Sequence, residues 1–561
     1  MAKRRRLVAP ALIVALAVVC GGWFLQGDVG IGSNLYTRAK VLDEVVSRIE
    51  RHFVDEVDPD KLYSAGYDAA LDRVVEELGD PNSALLQAPD WEDMRIRTEG
   101  EYGGVGLEIS GRDGYATVVA PISGTPGSRA GVRAGDRIVE VDGESVEGWS
   151  TDEVADVLRG KPGTDVEMVV RRTGIEQPIV FELTRALIRL KAVPFAVLLE
   201  GEVGYLPVRS FNGTTTEEVR SRLDSLEAVG MQSLVIDLRR NRGGLLTEGV
   251  ALSDLFLDAG AGIAEVRSRD EDPERYLDEA AQDRPVLPIV VLLDVASASA
   301  AEIVAGALQD NDRALVLGTP SYGKGSVQSL FPIAGGRMLK LTTARWYTPS
   351  GRSIQRPPPE EIDDGEVDGE GEAPSMVEGA VRPSADPERP RHSSVGGREL
   401  LGGGGIVPDL WVPPDTLATA EVHAMRQLLG LGSDYMHAVQ EWAAGYVREH
   451  PELRPGFEIT DADLADFHSL LVGRGAEFTL AEVATARTSV VYDLGGEVAR
   501  QAWGERVRFE RLIPHDNQLE RAVELLLEAR SQADLFRLAE DAERRARGPV
   551  AHSGGDDSPG R

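Results

Sequence analysis

Short apolar runs of strand length recur between about residues 186 and 348, and stretches of helical length separate them. Such runs are typical of strands in a sheet that helices cover on both faces, because neither face of the strand then meets water. Strands and helices that alternate along the chain favour an α/β core. The predicted strands are 203–207, 234–238, 289–293 and 314–317, and the predicted helices are 216–229, 247–256 and 300–309.

The chain of 561 residues is long enough for several domains. Apolar residues recur at helical spacing in 35–98, while 99–186 holds short β-rich runs broken by Gly and Pro and one candidate helix, 150–159. The predicted fold class is therefore a multidomain α/β protein with helical parts at both ends. Its predicted parts are a signal or anchor segment (1–27), a helical region (35–98), a β-rich domain (99–186), an α/β core (187–356 and 398–415), a disordered acidic insertion (357–397), a helical C-terminal extension (416–547) and a disordered tail (548–561).

The N-terminus predicts a membrane segment. Four basic residues at 3–6 precede 19 residues without a charge, 7–25. That length suits a short spanning helix, and the basic cluster predicts that its N-terminal end stays in the cytoplasm. We expect an uncleaved single-pass anchor in a bacterial-type inner membrane with the rest of the chain outside the cytoplasm, and a cleaved secretory signal is the alternative.

Composition excludes several classes of function. The chain has 93 acidic and 60 basic residues and a net charge of -33, which repels phosphate backbones, so we expect no nucleic-acid partner. The only cysteine, Cys20, excludes an intramolecular disulfide, a thiolate metal cluster and a Cys–His enzyme in the globular part. Between Glu360 and Val381 nine acidic residues stand without a basic one, so this stretch is predicted to form no core.

A glycine loop opens the β-rich domain. Gly104, Val105, Gly106 and Leu107 follow Gly103, and successive backbone N–H groups in such a loop can bind a carboxylate. An ordinary tight turn explains the loop equally well. The segment 128–143 adds Ser-Arg-Ala-Gly-Val and Gly-Asp-Arg-Ile-Val-Glu-Val-Asp-Gly, and together they resemble PDZ domains. The resemblance implies that Gly104 to Leu107 bind a C-terminal peptide and that the helix 150–159 forms the other wall of the groove.

Elimination narrows the chemistry of the α/β core. None of the eight histidines lies in the core, so a Ser-His-Asp triad within it is excluded. The histidines are at positions 52, 392, 423, 437, 450, 468, 515 and 552. A serine activated by an unprotonated lysine remains. Lys324, between two glycines, is the candidate base, and a solvated turn is the other interpretation. The stretch 318–324 nearly spells a phosphate loop, but Gly325 stands where a Ser or Thr would bind magnesium.

The candidate nucleophile follows the strand 289–293. Ser297 and Ser299 lie where a buried strand turns into a helix, a position that exposes a hydroxyl and favours a developing anion. Either serine could instead cap the helix. A second strand, 234–238, ends near the glycine pair Gly243 and Gly244. The carboxyl ends of parallel strands meet in one crevice, so these segments are expected to lie close together.

Together these blocks resemble the C-terminal processing proteases, also called tail-specific proteases, over about residues 35–415. The resemblance implies that Ser299 is the nucleophile and Lys324 the general base of a Ser-Lys dyad, with Gln328 orienting the lysine. It also implies an oxyanion hole from the N–H groups of Gly244 and Ala300. Two further observations are that Ala301 replaces a serine usual in the family and that Asp310 aligns with an acidic residue described as necessary in some members. We assign Asp310 a structural role.

The expected protein is a membrane-anchored serine endopeptidase that binds free protein C-termini and needs no cofactor or metal. A catalytically silent PDZ scaffold at the membrane is one alternative, and an esterase or amidase acting on small molecules is another. Homo-oligomerisation is possible, since amphipathic faces in the C-terminal extension are available, although such faces more often pack into a core.

Overall fold

The computed structural model describes residues 35–52, 58–112, 114–172, 174–279, 286–357, 389–414, 419–476 and 478–547. The predicted anchor (1–27), the predicted tail (548–561) and most of the acidic insertion lie outside these residues. None of the described helices is both long and apolar enough to cross a membrane. The chain divides into two compact units, one with the described residues up to Gln87 plus Gln328–Thr342, and one with the remainder.

The first unit begins with two helices, α1 (Leu35–His52) and α2 (Pro59–Glu76). The α2 helix starts where Asp58 accepts a hydrogen bond from the N–H of Asp60, as expected for an N-cap residue. A short strand, β1 (Ala84–Leu86), follows and pairs antiparallel with residues 338–340.

In the second unit, a β-rich domain occupies the predicted PDZ region. Its sheet has the order β3-β4-β5-β7-β8, all antiparallel, with β6 beside β5, and β3 is an edge strand. A ribbon of β2 and β9 joins the start of the domain to its end. The elements, after α3 (Ala88–Glu99), are β2 (Glu101–Gly104), β3 (Leu107–Arg112), β4 (Tyr115–Pro121), α4 (Pro126–Ala130), β5 (Arg137–Val141), β6 (Glu144–Ser145), α5 (Thr151–Leu158), β7 (Asp165–Arg171), β8 (Ile179–Thr184) and β9 (Ala186–Arg189).

The α/β core is built on a six-stranded sheet of order β10-β11-β12-β15-β16-β21. All neighbours are parallel except β10, which pairs antiparallel with β11 at the edge. The carboxyl ends of β12 and β15 are therefore adjacent. The strands and helices up to β16 are β10 (Val197–Leu198), β11 (Val203–Pro207), α6 (Thr215–Ala228), β12 (Ser233–Asp237), α7 (Leu246–Asp254), β13 (Gly262–Ser268), β14 (Glu274–Leu277), β15 (Ile289–Leu293), α8 (Ala300–Asp310) and β16 (Leu315–Gly318).

Further strands flank the core. Strand β13 pairs antiparallel with β14 and with the end of β18. The hairpin of β19 and β20 contains residues 391–393, so the predicted limit of the disordered insertion at residue 397 is wrong. Arg389 donates hydrogen bonds to the carbonyls of Gly402 and Gly403 beside this hairpin. The strands are β17 (Ser326–Ile333), β18 (Arg337–Tyr347), β19 (Arg391–Ser393), β20 (Glu399–Leu401) and β21 (Leu410–Trp411).

The C-terminal region is helical, as predicted, but it has two different roles. Its first five helices enclose a core of their own around Tyr435, Trp442 and Phe467, whereas Phe509 of the sixth packs with the large sheet. Its last two helices pack Leu519, Leu526 and neighbouring side chains on the face of the large sheet opposite α6, α7 and α8. The helices are α9 (Thr419–Leu429), α10 (Ser433–Glu449), α11 (Asp461–Gly473), α12 (Leu480–Thr485), α13 (Arg487–Trp503), α14 (Glu505–Leu512), α15 (Asn517–Glu528) and α16 (Gln532–Arg547).

Polar contacts fix α15 and α16 to the sheet. Arg239, at the end of β12, bridges Asp237 and Asp516, and Gln532 accepts a hydrogen bond from the N–H of Ile289 at 2.8 Å. Burial by itself would raise the pKa of Asp237, but Arg239, the charge of Arg209 and the Tyr205 hydroxyl outweigh it and lower that pKa to about 2. These two helices complete the sandwich that covers the sheet, so the α/β core extends beyond the predicted limit at residue 415.

Candidate active site

Ser299 occupies a strained turn between β15 and α8. Its backbone has φ +56° and ψ -117°, a conformation that non-glycine residues adopt only when the surrounding structure imposes it, at a cost of about 1–3 kcal/mol. Ser299 is half-buried, while Ala300 behind it is fully buried. A sharp strand-to-helix turn of this kind presents a serine at the carboxyl end of the sheet.

The structure distinguishes between the two candidate serines. Ser297 is fully buried, and its hydroxyl donates to the carbonyl of Leu238 at 2.9 Å. The same oxygen accepts the backbone N–H of Asp294 at 3.0 Å. Ser297 therefore holds the turn together, and Ser299 is the serine at the strained position.

A buried carboxylate connects the nucleophile turn to the lysine segment. One oxygen of Glu302, Oε2, accepts the backbone N–H of Ser299 at 2.8 Å and that of Lys324 at 3.0 Å. The other oxygen, Oε1, accepts the Ser321 hydroxyl at 2.5 Å and the N–H of Gly323 at 2.7 Å. The structure thus brings together Ser299 and Lys324, which are 25 positions apart in the sequence.

Glu302 is a positioning residue that the sequence-based prediction missed. It is fully buried, and burial raises its pKa while the four hydrogen bonds act in the opposite direction. The sequence did contain a signal for the contact between Glu302 and Ser299, because a glutamate three residues after a serine at the start of a helix has the spacing of a capping box. Nothing local indicated that this carboxylate also binds the lysine segment.

The backbone around Lys324 is fixed on its other side as well. The carbonyl of Lys324 accepts the indole N–H of Trp346 at 3.1 Å, and the N–H of Trp346 donates to Gly325 at 2.9 Å. Trp346 is buried, and Lys324 itself is half-buried. Gly323 has φ +92°, and a Cβ there would lie 3.0 Å from the N–H nitrogen of Gly405, so glycine is required in this tightly packed segment.

The glycine pair after β12 lies against the nucleophile turn. A Cβ on Gly243 would come within 2.7 Å of the Ser299 Cβ and 2.9 Å of the Ala300 nitrogen. The N–H groups of Gly244 and Ala300 donate to no other residue in the described part of the chain. Both donors are therefore available to a ligand, and their role in an oxyanion hole stays a prediction.

Gln328, the third residue of the predicted catalytic set, lies on β17 in the first compact unit. Its side-chain amide donates to the Thr342 hydroxyl at 3.3 Å. Its predicted role in orienting Lys324 stays a prediction. Asp310, which was assigned a structural role, forms a fully buried ion pair with Arg352 at 2.7 Å.

The β-rich domain has a groove of about 190 Å³ at the predicted peptide site. The edge strand β3 forms one wall and α5 the other. Val105, Gly106 and Leu107 line the groove, whereas Gly104, the last residue of β2, does not. The N–H groups of Val105 and Gly106 donate to no other described residue, so they are available to a carboxylate. The other lining residues are Tyr102, Ile109, Thr151, Asp152, Ala155, Leu158 and Arg159.

Helix α5 and the glycine loop are both locally specified. Ser150 caps α5 and forms a reciprocal capping box with Glu153. Gly106 has φ +74°, and a Cβ there would lie 2.4 Å from Thr125, so the loop requires glycine. In the described ranges no cluster of three or more His, Cys, Asp or Glu side chains could hold a metal ion.

Comparisons with known proteins agree with this architecture. The profile of peptidase family S41 matches residues 202–362, and a PDZ domain profile matches residues 117–172. The carboxy-terminal-processing protease of Bartonella bacilliformis is 36% identical over 326 residues, which cover 57% of this chain and 74% of that protein. The carboxy-terminal processing protease CtpA of Bacillus subtilis is 30% identical over 362 residues, which cover 64% of this chain and 76% of the relative.

Among solved structures, the photosystem II D1 C-terminal processing protease is 30% identical, with a TM-score of 0.33; the match covers 56% of this chain and 89% of that one. The predicted family resemblance is confirmed by the sequence relatives, and the predicted PDZ domain and peptidase core are confirmed by the two profiles. With 36% identity across about three quarters of one such relative, the chain belongs to the carboxy-terminal processing protease family and is a serine-type peptidase of family S41.

Proposed function

We propose that this protein is a membrane-anchored, extracytoplasmic endopeptidase that binds protein C-termini in its PDZ groove and cleaves them through a Ser299–Lys324 dyad. The observation that carries the proposal is the shared Glu302 oxygen, because the backbone N–H groups of Ser299 and Lys324 both donate a hydrogen bond to it. A general base has to lie within hydrogen-bond reach of the proton that it removes. Because one buried carboxylate binds both segments, the distance between the Ser299 hydroxyl and the Lys324 amine can vary only within narrow limits.

In the proposed mechanism, the Ser299 hydroxyl attacks the carbonyl carbon of the scissile peptide bond while Lys324 Nζ takes the hydroxyl proton. The carbonyl oxygen becomes an oxyanion that accepts hydrogen bonds from the N–H groups of Gly244 and Ala300. Each donor of this kind contributes about 3–4 kcal/mol in comparable sites. The intermediate collapses, the C–N bond breaks, and the leaving amine receives the proton from Lys324.

Water then completes the reaction. Lys324 takes a proton from a water molecule while the water oxygen attacks the ester carbonyl carbon of the acyl-enzyme. When the ester C–O bond breaks, Lys324 returns that proton to the Ser299 oxygen, which re-forms the hydroxyl and releases the product carboxylate. Lys324 has to be uncharged at the start of each half-reaction, which the partial burial of its segment favours. Gln328 is proposed to orient the lysine amine.

The PDZ domain supports the recognition of tails. An extended peptide can pair with the free edge of β3, and its terminal carboxylate can accept the N–H groups of Val105 and Gly106. The apolar side chains of Leu107, Ala155 and Leu158 would then surround the last residue of the peptide. This chemistry favours a free C-terminus over an amidated one.

The test uses a disordered substrate with a free or an amidated C-terminus. We expect the wild-type protein to cleave the free form faster, and Ser299→Ala and Lys324→Ala to abolish cleavage without weakening tail binding. Lys340→Ala, at the other lysine of 318–348, is the matched control and should cleave normally. Full activity in Ser299→Ala or Lys324→Ala would refute the dyad. Tail binding without any turnover in the wild-type protein would indicate a scaffold.

The membrane location is tested separately. The full chain should sediment with membranes and resist extraction by salt, whereas a chain that begins at residue 35 should be released. An externally added protease should reach the folded part of the full chain in intact spheroplasts. Recovery of the full chain in the soluble fraction, at its predicted mass, would refute the anchor.

A further inference from the structure

Three arginines lie close to the carboxyl end of the large sheet. Arg209 follows β11, and Arg240 and Arg242 follow β12. All three are exposed, and their guanidinium groups form no ion pair or hydrogen bond with any residue in the described part of the chain. In a protein with a net charge of -33, three unpaired cations on two adjacent loops form a distinct basic rim. We call this group the arginine rim.

The loops that carry the arginine rim lie against the nucleophile turn. The side-chain amide of Asn241 donates to the carbonyl of Val208 at 2.8 Å, which joins the two loops. The N–H of Phe211 donates to Gly243 at 3.1 Å, and the N–H of Ala298 donates to Asn241 at 2.9 Å. Arg242 is therefore directly followed by a glycine whose backbone packs against the candidate nucleophile, in a loop held on both sides.

The acidic groups close to the rim have other hydrogen-bonding partners, although Asp237 also interacts electrostatically with Arg209, and Asp493 with Arg240. Asp237 and Asp516 are both bound to Arg239. Asp294 accepts the backbone N–H groups of Arg240 and Ala296. In the described part of the chain no carboxylate forms an ion pair with the guanidinium groups of Arg240 and Arg242, so both can bind a ligand.

We propose that the arginine rim selects substrates with an aspartate or glutamate side chain close to the scissile bond. This inference rests on the proposed function of the site. If the Gly244 N–H binds the carbonyl oxygen of the scissile bond, Arg242 lies two residues away along its loop. An arginine side chain spans about the length of two extended residues, roughly 7 Å, so it reaches side chains within about two positions of that bond. Its planar fork is suited to a carboxylate.

The experiment compares peptides that carry either Glu or Gln at one of the two positions on each side of the scissile bond. All peptides keep the same free apolar C-terminus, so tail binding is the same in each pair. We expect the wild-type protein to cleave the best Glu peptide with a kcat/KM about tenfold above its Gln partner, as a charge-assisted hydrogen bond provides. Salt at about 0.5 M should reduce that ratio.

Variants then locate the effect. In Arg242→Gln, and more completely in a double variant with Arg240→Gln, the ratio of Glu to Gln rates should fall to about one. Arg220→Gln removes an exposed arginine from α6 and should keep the wild-type ratio. A wild-type ratio near one at every position, or a ratio that survives the double variant, would overturn the inference.

A binding measurement separates this inference from the proposed chemistry. Ser299→Ala should bind the Glu peptide more tightly than its Gln partner, whether or not the wild-type protein cleaves either one. Absence of cleavage with both peptides would count against the proposed function, and equal affinities in Ser299→Ala would then overturn the arginine rim as a specificity site.

Discussion

Replacing Glu302 by glutamine should reduce catalysis far more than it reduces peptide-tail binding. The carboxylate accepts four hydrogen bonds in a fully buried position, two on each oxygen. A glutamine side chain has one acceptor and one donor end. With its NH₂ on the side of Ser321, the hydroxyl can turn to accept, but the N–H of Gly323 faces another donor and loses its partner.

The magnitude follows from those contacts. One unsatisfied buried N–H costs about 1–3 kcal/mol, and each of the two N–H bonds kept by the neutral amide, from Ser299 and Lys324, weakens by about 1 kcal/mol relative to a charged acceptor. We therefore expect Glu302→Gln to lower the unfolding free energy by about 3–5 kcal/mol. Looser alignment of nucleophile and base should lower kcat by about 100-fold, as small misplacements do in other enzymes.

The assay combines kcat and KM on a tailed peptide with urea unfolding and tail affinity. Glu248→Gln is the control, because that carboxylate accepts two hydrogen bonds from Thr216 but touches neither Ser299 nor Lys324. It should lose stability and keep its kcat. If Glu302→Gln remains folded and its kcat stays within twofold of the wild type, the carboxylate does not position the dyad and our interpretation of the site is wrong.

Three further predictions address the glycine loop, the groove and the buried acid. Gly243→Ala should abolish peptide cleavage, because its Cβ would clash with the nucleophile turn. The control Gly260→Ala has the same φ of +87° with open space around it, so it should lower the thermal unfolding temperature and leave peptide cleavage unchanged. Ala155→Phe should fill the groove and raise the dissociation constant of a C-terminal peptide at least tenfold, and Val180→Phe, on an exposed face of the same domain, should leave it unchanged. Asp237→Asn should lower the unfolding free energy by about 2–3 kcal/mol at pH 7. This difference from wild type should shrink as the pH falls from about 4 towards 2, because the carboxylate of Asp237, whose pKa is depressed, stabilises the fold only while it is ionised. Equal slopes of unfolding free energy against pH in the two proteins would contradict this.

Much of the fold could be predicted because its signals are local. The predicted helix 300–309 is observed as Ala300–Asp310, and the predicted helix 150–159 as Thr151–Leu158. Strand and helix periodicity depends on neighbouring residues, and so does the glycine loop before β3. The antiparallel strands β13 and β14 were not predicted, because their exposed faces interrupt the apolar pattern.

The candidate site was predicted in part. Motifs identified Ser299 and Lys324, since each stands in a distinctive glycine- or alanine-rich segment. The residues around the turn left Ser297 and Ser299 as alternatives, the family resemblance selected Ser299, and the buried hydrogen bonds of Ser297 agree with that choice. The role of Glu302 was invisible because its partners include a segment more than 20 residues away.

The sequence by itself determined the order of the domains and the kinds of loop that carry the chemistry, because periodicity and glycine requirements are properties of short segments. Only the tertiary structure decided that α15 and α16 cover one face of the peptidase sheet and that the arginine rim borders the nucleophile turn. Those outcomes depend on which apolar faces and polar groups from distant parts of the chain meet. The interior has to be closely packed and its buried polar groups have to be hydrogen-bonded at the same time, and only the complete fold meets both conditions.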